Sequence, residues 1–161
     1  MGLNPSQVSV ERGHYFANPR NRFWRAFNRS GLVSTPVAME DDHRLTSEGI
    51  GFTDLVKRPS RQASALRAKD YREGAPALKE KILQYKPAVV CFQGLTVYGN
   101  YLRYAEGLKL KPQLGHQSQM IGQSQVFVVP NPSPTNAQYS LETLVCWLRR
   151  LKNLRDEIRG Q

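Results

Sequence analysis

Two short loops carry residue types from which chemistry could be built: Gly2-Leu3-Asn4-Pro5-Ser6 near the start and Asn131-Pro132-Ser133-Pro134 further on. Each combines an amide side chain, a rigid proline and a small hydroxyl, a set suited to holding water or phosphate oxygens without bulk. Asn-Pro and Ser-Pro are also ordinary turn formers, and either tetrapeptide alone is explained that way. Placement separates them from plain turns. The second loop directly follows the apolar run Gln125-Val126-Phe127-Val128-Val129, and ligands of open α/β sheets bind beyond the carboxyl ends of strands. A third residue, Asp54, interrupts the largely apolar stretch Ile50-Gly51-Phe52-Thr53-Asp54-Leu55-Val56. A carboxylate there could serve as a general base or balance developing positive charge. Equally, it could cap a turn or pair with Lys57 or Arg58, and both readings stand.

The elements that must position these residues follow from periodicity. Asn18-Pro19, then Asn21-Arg22-Phe23-Trp24-Arg25-Ala26-Phe27 closed by Ser30-Gly31, predicts a short helix with a capping residue, proline at its first position and glycine after its end. Met39 to Glu48 is polar and acidic, a loop or weak helix, and Ile50 to Val56 reads as a strand or extended segment. From Ala68 to Tyr85 the apolar positions Tyr71, Ala75, Leu78, Ile82 and Tyr85 recur at three and four, the mark of an amphipathic helix. Ala88-Val89-Val90-Cys91-Phe92 is the near-continuous apolar run of a strand buried on both faces. A helix over Leu95–Tyr104, a strand over Gln125–Val129 and a last helix capped by Ser140 complete an alternation that argues α/β with a mainly parallel sheet.

A length of 161 residues sets an expectation of one domain, residues 1–161. The opening Gly/Asn/Pro/Ser turn is of the kind that follows a strand, so a first strand upstream of residue 1 is expected to be missing. Lys plus Arg is 23 against 13 Asp plus Glu, and the formal charge of +10 favours polyanionic partners, nucleic acid before membrane surfaces. No apolar run approaches the roughly 20 residues that span a bilayer. Two cysteines, Cys91 and Cys146, are too few for an iron–sulfur cluster or a four-thiolate zinc site, and a reducing cytoplasm is the expected location. There is no Walker phosphate loop, which disfavours a small-nucleotide hydrolase.

Taken in order along the chain, the motifs resemble those of the mismatch-specific uracil-DNA and thymine-DNA glycosylases. Gly2-Leu3-Asn4-Pro5 is similar to that family's Gly-Ile-Asn-Pro motif. Gly13-His14-Tyr15-Phe16-Ala17-Asn18-Pro19 with Asn21-Arg22-Phe23-Trp24 resembles its aromatic segment and following helix. Thr53-Asp54-Leu55-Val56-Lys57-Arg58-Pro59 and Lys81-Ile82-Leu83-Gln84-Tyr85-Lys86-Pro87 correspond to comparable strings, and Asn131-Pro132-Ser133 to its second motif. The resemblance covers nearly the whole chain. Ser6 stands where that family usually has glycine, and Pro134 to Tyr139 departs from it in length and composition.

The resemblance implies a three-layer α/β/α fold with a mainly parallel central sheet and a monofunctional glycosylase that removes flipped uracil without metal or cofactor. By position, Asn4 would hold the hydrolytic water, Phe16 would stack on the extruded base, and Ser9 would stand at the pocket wall. Asn131 and Ser133 would form the mouth. Pro134, Thr135 and Asn136 would belong to the wedge that fills the gap left by the base, with the intruding side chain either Thr135 or Asn136. His14 is a minor candidate for a hydrogen bond in the pocket, and Arg58, with Arg61 and Arg67, for phosphate contact. The basic residues Arg149, Arg150, Lys152, Arg155 and Arg159 read as the solvated side of the last helix, and Trp24 and Trp147 as core. The expected partner is double-stranded DNA bearing mispaired uracil, with single strands left open, bound by a monomer. The competing reading is a non-catalytic DNA-binding module on the same fold.

Overall fold

The computed structural model describes residues 1–160. Eight regular elements follow one another: α1 (Gln7–Arg12), α2 (Phe23–Ser30), α3 (Ala68–Tyr85), β1 (Val89–Gln93), α4 (Leu95–Ala105), β2 (Gly115–His116), β3 (Gln125–Val129) and α5 (Leu141–Arg159). Two 3-10 helices, Met39–Glu48 and Ala63–Ala65, lie in the connections. β1 and β3 pair in parallel, Val89 opposite Gln125 through Gln93 opposite Val129, and the short β2 joins the other edge of β3 antiparallel.

Strand alternation assigns the sheet's two faces to two cores. Val90, Phe92, Val126 and Val128 face α3 and α4, where they meet Leu78, Ile82, Tyr98 and Tyr101. Phe127 and Val129 face the opposite way, into a cluster with Phe23, Phe27, Leu45, Leu144 and Leu148 from α2, α5 and the longer 3-10 helix. The molecule is therefore α/β with helices on both sides of the sheet. Among the described residues no helix is long and apolar enough to cross a membrane.

Residues 1–3 and 53–56 extend this sheet without forming full strands. Gln93 N–H donates to the Met1 carbonyl (2.8 Å), and Gly2 forms a parallel bridge with Asp54. The strand expected over Ile50–Val56 is thus reduced to the Gly2–Asp54 bridge and one further bond, from Val56 N–H to the Leu3 carbonyl. Three further expectations are corrected. α2 begins at Phe23, not beside Pro19, and its first turn is met by the Asn21 side chain, whose Oδ1 accepts from Phe23 N–H at 2.8 Å. Trp24 and Trp147 are half-buried at the edge of the core. The opening turn continues into a helix, α1, because Ser6 caps it: Ser6 Oγ accepts from Ser9 N–H, and Gly13 closes the far end at φ 72°.

α3 lies so close to the segment beneath it that a Cβ on Gly74 would collide with the Leu55 carbonyl oxygen. Helix propensity alone favours alanine over glycine by about 1 kcal/mol. Here the sign reverses: Gly74→Ala must push α3 off the Leu55–Val56 backbone and is expected to lose roughly 1–3 kcal/mol. Urea unfolding of the two proteins measures it.

Candidate active site

The first motif is held by backbone pairing. Gly2 N–H donates to the Thr53 carbonyl (3.0 Å), Leu55 N–H to Gly2 (3.0 Å) and Val56 N–H to Leu3 (2.8 Å). This delivers Asn4 to the end of the pairing, beside the chain that continues from Val56. There Asn4 Nδ2 donates to the Arg58 carbonyl (3.0 Å) and to Ser60 Oγ (2.8 Å), and Ser60 Oγ donates in turn to the Gln62 carbonyl (2.8 Å). Both amide hydrogens are used, so the remaining capacity of the side chain is that of an acceptor at Oδ1. An amide fixed in this sense can orient a water molecule by accepting one of its hydrogens.

Asp54 lies two positions back along the same pairing. It is 9% exposed, and a Cβ on Gly2 would collide with its Oδ1, so glycine is required where the two segments cross. Burial raises its pKa above the ordinary carboxylate range; the amino terminus and Lys57 act in the other direction. Of the ion-pair partners the sequence offers it, neither is hydrogen-bonded to Asp54: Lys57 Nζ donates to Thr53 Oγ1 (2.6 Å). Arg58 instead makes a two-pronged contact with Asp70, Nε to Oδ1 at 2.9 Å and Nη2 to Oδ2 at 2.8 Å, which holds Asp70 well below its usual pKa. Arg58 is half-exposed but already partnered, whereas Arg61, donating to Gln7 Oε1 (3.2 Å), and Arg67 are exposed nearby.

The aromatic wall is built over α2. Phe16, at φ 53°, lies with one face on Phe23 (ring centroids 4.0 Å apart, planes 17° apart), and Phe52 meets it edge-on at 6.0 Å. Ser9 does not line an open wall; its Oγ accepts from the buried Ala17 N–H (3.2 Å) and from Ser6 Oγ (3.1 Å), bracing the turn that carries Phe16. His14 faces Asp42, Nδ1 to Oδ1 at 3.1 Å, while the other oxygen of Asp42 accepts from Tyr15 N–H at 2.9 Å. The pair secures the segment from outside. Tyr15 has its phenol pKa raised by burial and then by the negative charges of Asp54 and Asp42.

The second loop packs against the end of β1. Asn131 Cβ lies where a Cβ on Gly94, at φ 128°, would come within 3.1 Å. Asn131 Oδ1 accepts from Ser133 N–H (2.9 Å), Ser133 Oγ and Thr135 Oγ1 are 2.9 Å apart, and Asn136 Nδ2 returns to the Asn131 carbonyl (3.0 Å). Thr135 is exposed at the loop's tip, with Pro134 half-buried beside it, while the amide of Asn136 is turned back into the loop. Beneath it lies Arg22, whose guanidinium donates to the carbonyls of Pro132 (3.4 Å), Ser133 (3.1 Å), Asn136 (2.8 Å) and Tyr139.

With this geometry in hand, a family model described as the uracil DNA glycosylase superfamily matches residues 1–155. The chain belongs to the uracil DNA glycosylase superfamily. A G/U mismatch-specific uracil DNA glycosylase of Schizosaccharomyces pombe is 35% identical over 147 residues, which is 88% of this chain. The chain spans 45% of that protein's length. Superfamily membership accords with the α/β layering, in which the first motif follows residues 1–3 on one side of β1 and the second follows β3 on the other. Among the described residues no group of three or more His, Cys, Asp or Glu is gathered as a metal site would need. Cys91 has its thiol pushed up to about 11 by burial, which leaves it unreactive as a thiolate at neutral pH.

Reading residue types in order missed three members of this site: Ser60, Asp42 and Arg22. Each acts on a partner far away in sequence. Only for Arg22 was there a signal, the Asn21-Arg22-Phe23-Trp24 string, and that string reads first as a helix start.

The raised pKa of Asp54 has a defined effect on stability. Folding favours its neutral form, so the fold loses stability as pH rises from the unfolded value, about 3.9, through the higher folded value. Asp54→Asn removes that loss. Relative to the parent, its melting temperature is expected to be higher at pH 7, with the difference shrinking as pH falls below about 4.

Proposed function

We propose that this chain is a monofunctional DNA glycosylase that hydrolyses the N-glycosidic bond of uracil extruded from G:U mispairs in DNA. The observation that carries this reading is the anchored amide of Asn4, whose nitrogen is committed to Arg58 and Ser60 and whose oxygen is thereby available to water. Uracil departs as an anion while the deoxyribose gains oxocarbenium character, and a water must reach the opposite face of C1′. Such a leaving group needs little acid catalysis, so a residue that aims water at C1′ supplies the main requirement. Asp54, when ionised, accepts the proton of that water or stabilises the cationic sugar.

The remaining residues divide the work of presenting the base. Phe16, braced by Phe23 beneath and Ser9 behind, offers a flat apolar face for the uracil ring. The loop of Asn131, Ser133 and Pro134 meets the DNA, and Thr135 is the side chain that enters the space the base leaves, since Asn136 is folded back. Arg61 and Arg67 are better placed for phosphates than Arg58, which is held by Asp70. Extrusion costs a few kcal/mol and least in a mismatch, which favours mispaired substrates over regular pairs. The +10 charge supports a DNA partner through release of counterions.

Incubation with a G:U duplex in EDTA, followed by alkali, tests the reading: strand breaks at the uracil position are expected only after alkali. An intact strand despite tight binding would instead identify a non-catalytic DNA-binding module. Asn4→Ala is expected to retain binding and lower single-turnover excision by roughly 10²- to 10⁴-fold, and Asp54→Asn to flatten the rise of the rate with pH above the usual carboxylate range.

A further inference from the structure

The loop of residues 131–139 belongs to neither a helix nor a strand, and its backbone carbonyls need partners supplied from elsewhere. One side chain supplies four of them. Arg22 donates Nε to Pro132, Nη2 to Ser133 and Asn136, and Nη1 to Tyr139, while its own backbone N–H donates to Pro132 at 3.2 Å. A planar guanidinium with five donors can serve four carbonyls at once; a lysine ammonium has three donors and no fixed plane.

The base of this clamp is rigid. Arg22 immediately precedes α2, whose Phe23, Ala26 and Phe27 are all buried against β3 and α5. The next residue, Phe23, is the ring on which Phe16 lies. Two adjacent residues therefore support two different parts of the site: Arg22 the loop at the mouth, Phe23 the aromatic wall.

Resting on the glycosylase reading above, we propose that Arg22 is a positioning residue for base extrusion. It holds the 131–139 loop at a set height relative to Phe16, so that Thr135 fills the gap in the duplex as the base reaches the wall. Its guanidinium is spent on carbonyls and lies beneath the loop, so the role is exerted through the loop and not by contact with the reacting atoms. Cleavage of the N-glycosidic bond by the water that Asn4 orients does not depend on it, whereas the extrusion that precedes cleavage does.

The test compares the parent with Arg22→Ala and Arg22→Lys on a G:U duplex carrying 2-aminopurine next to the uracil, whose fluorescence rises when the neighbouring base unstacks. Both variants are expected to lower single-turnover excision by roughly 10-fold or more, with the fluorescence rise lost in parallel, because extrusion and not cleavage has become limiting. Amide hydrogen exchange is expected to quicken across residues 133–139 and to stay at the parental rate in β3. If Arg22→Ala does not fold, Arg22→Lys, which keeps the charge and lacks the fork, carries the same comparison. Unchanged excision, slowed excision with a full fluorescence rise, or unchanged exchange in the loop each overturns the proposal. A parental protein that excises no uracil overturns the glycosylase reading itself, and that result is distinct because it precedes any variant.

Discussion

Three backbone hydrogen bonds between residues 2–3 and 53–56 are the constraint on which the site depends. They run Gly2 to Thr53, Leu55 to Gly2 and Val56 to Leu3, and they join the start of the chain to a segment some fifty residues later. The pairing is short, yet every group in the first half of the site takes its place from it. Asn4 stands at its end, where the anchoring Arg58 carbonyl and Ser60 follow. Asp54 lies within it, and its closeness to Gly2 leaves no room for a side chain there. α3 crosses over it through Gly74, so the packing of the longest buried helix on that side is tied to the same strip of backbone.

The second theme is the commitment of polar groups before any substrate arrives. Ser9, Asp42, Ser60 and Arg22 satisfy backbone or amide donors and acceptors within the protein, and by doing so they orient Ala17, Tyr15, Asn4 and the 131–139 loop. A site whose side chains are already fixed loses less freedom when it engages a ligand, which is the physical content of preorganisation. Set apart from these commitments are the Asn4 amide oxygen, which has no hydrogen-bond donor among the described residues, the partly buried Phe16 ring, and the exposed Thr135, Arg61 and Arg67.

Much of this architecture is legible in the chain. α3, α4, α5, β1 and β3 follow directly from apolar periodicity, since each buries a continuous stripe or a whole face in the core. The order of the motifs identifies the family, and the +10 charge points to a polyanion. What periodicity does not reveal is local polar geometry. α1 is only six residues long and buries none of them, so it leaves no stripe to read, and Ser6 signals it only once its hydroxyl is seen to cap Ser9. Ile50 to Val56 has strand composition, but composition does not say that only residues 53–56 of it pair, through three backbone bonds to residues 2–3. In the sequence Asp54 reads equally as a base and as a turn cap or partner of Lys57 or Arg58; the structure gives Arg58 to Asp70 and Lys57 to the Thr53 hydroxyl. Ser60 and Arg22 act across 56 and more than 100 positions, and no short-range pattern encodes such partners.

The central claim is that the Asn4 amide works because Ser60 fixes its orientation, so the two residues act as one unit in aiming water. A double-mutant cycle on single-turnover uracil excision with Asn4→Ala, Ser60→Ala and the pair measures this coupling directly. The account predicts that Ser60→Ala slows the parent but has little further effect once Asn4 is alanine. Effects that multiply in the double variant would contradict it, because Ser60 would then be acting on something other than Asn4.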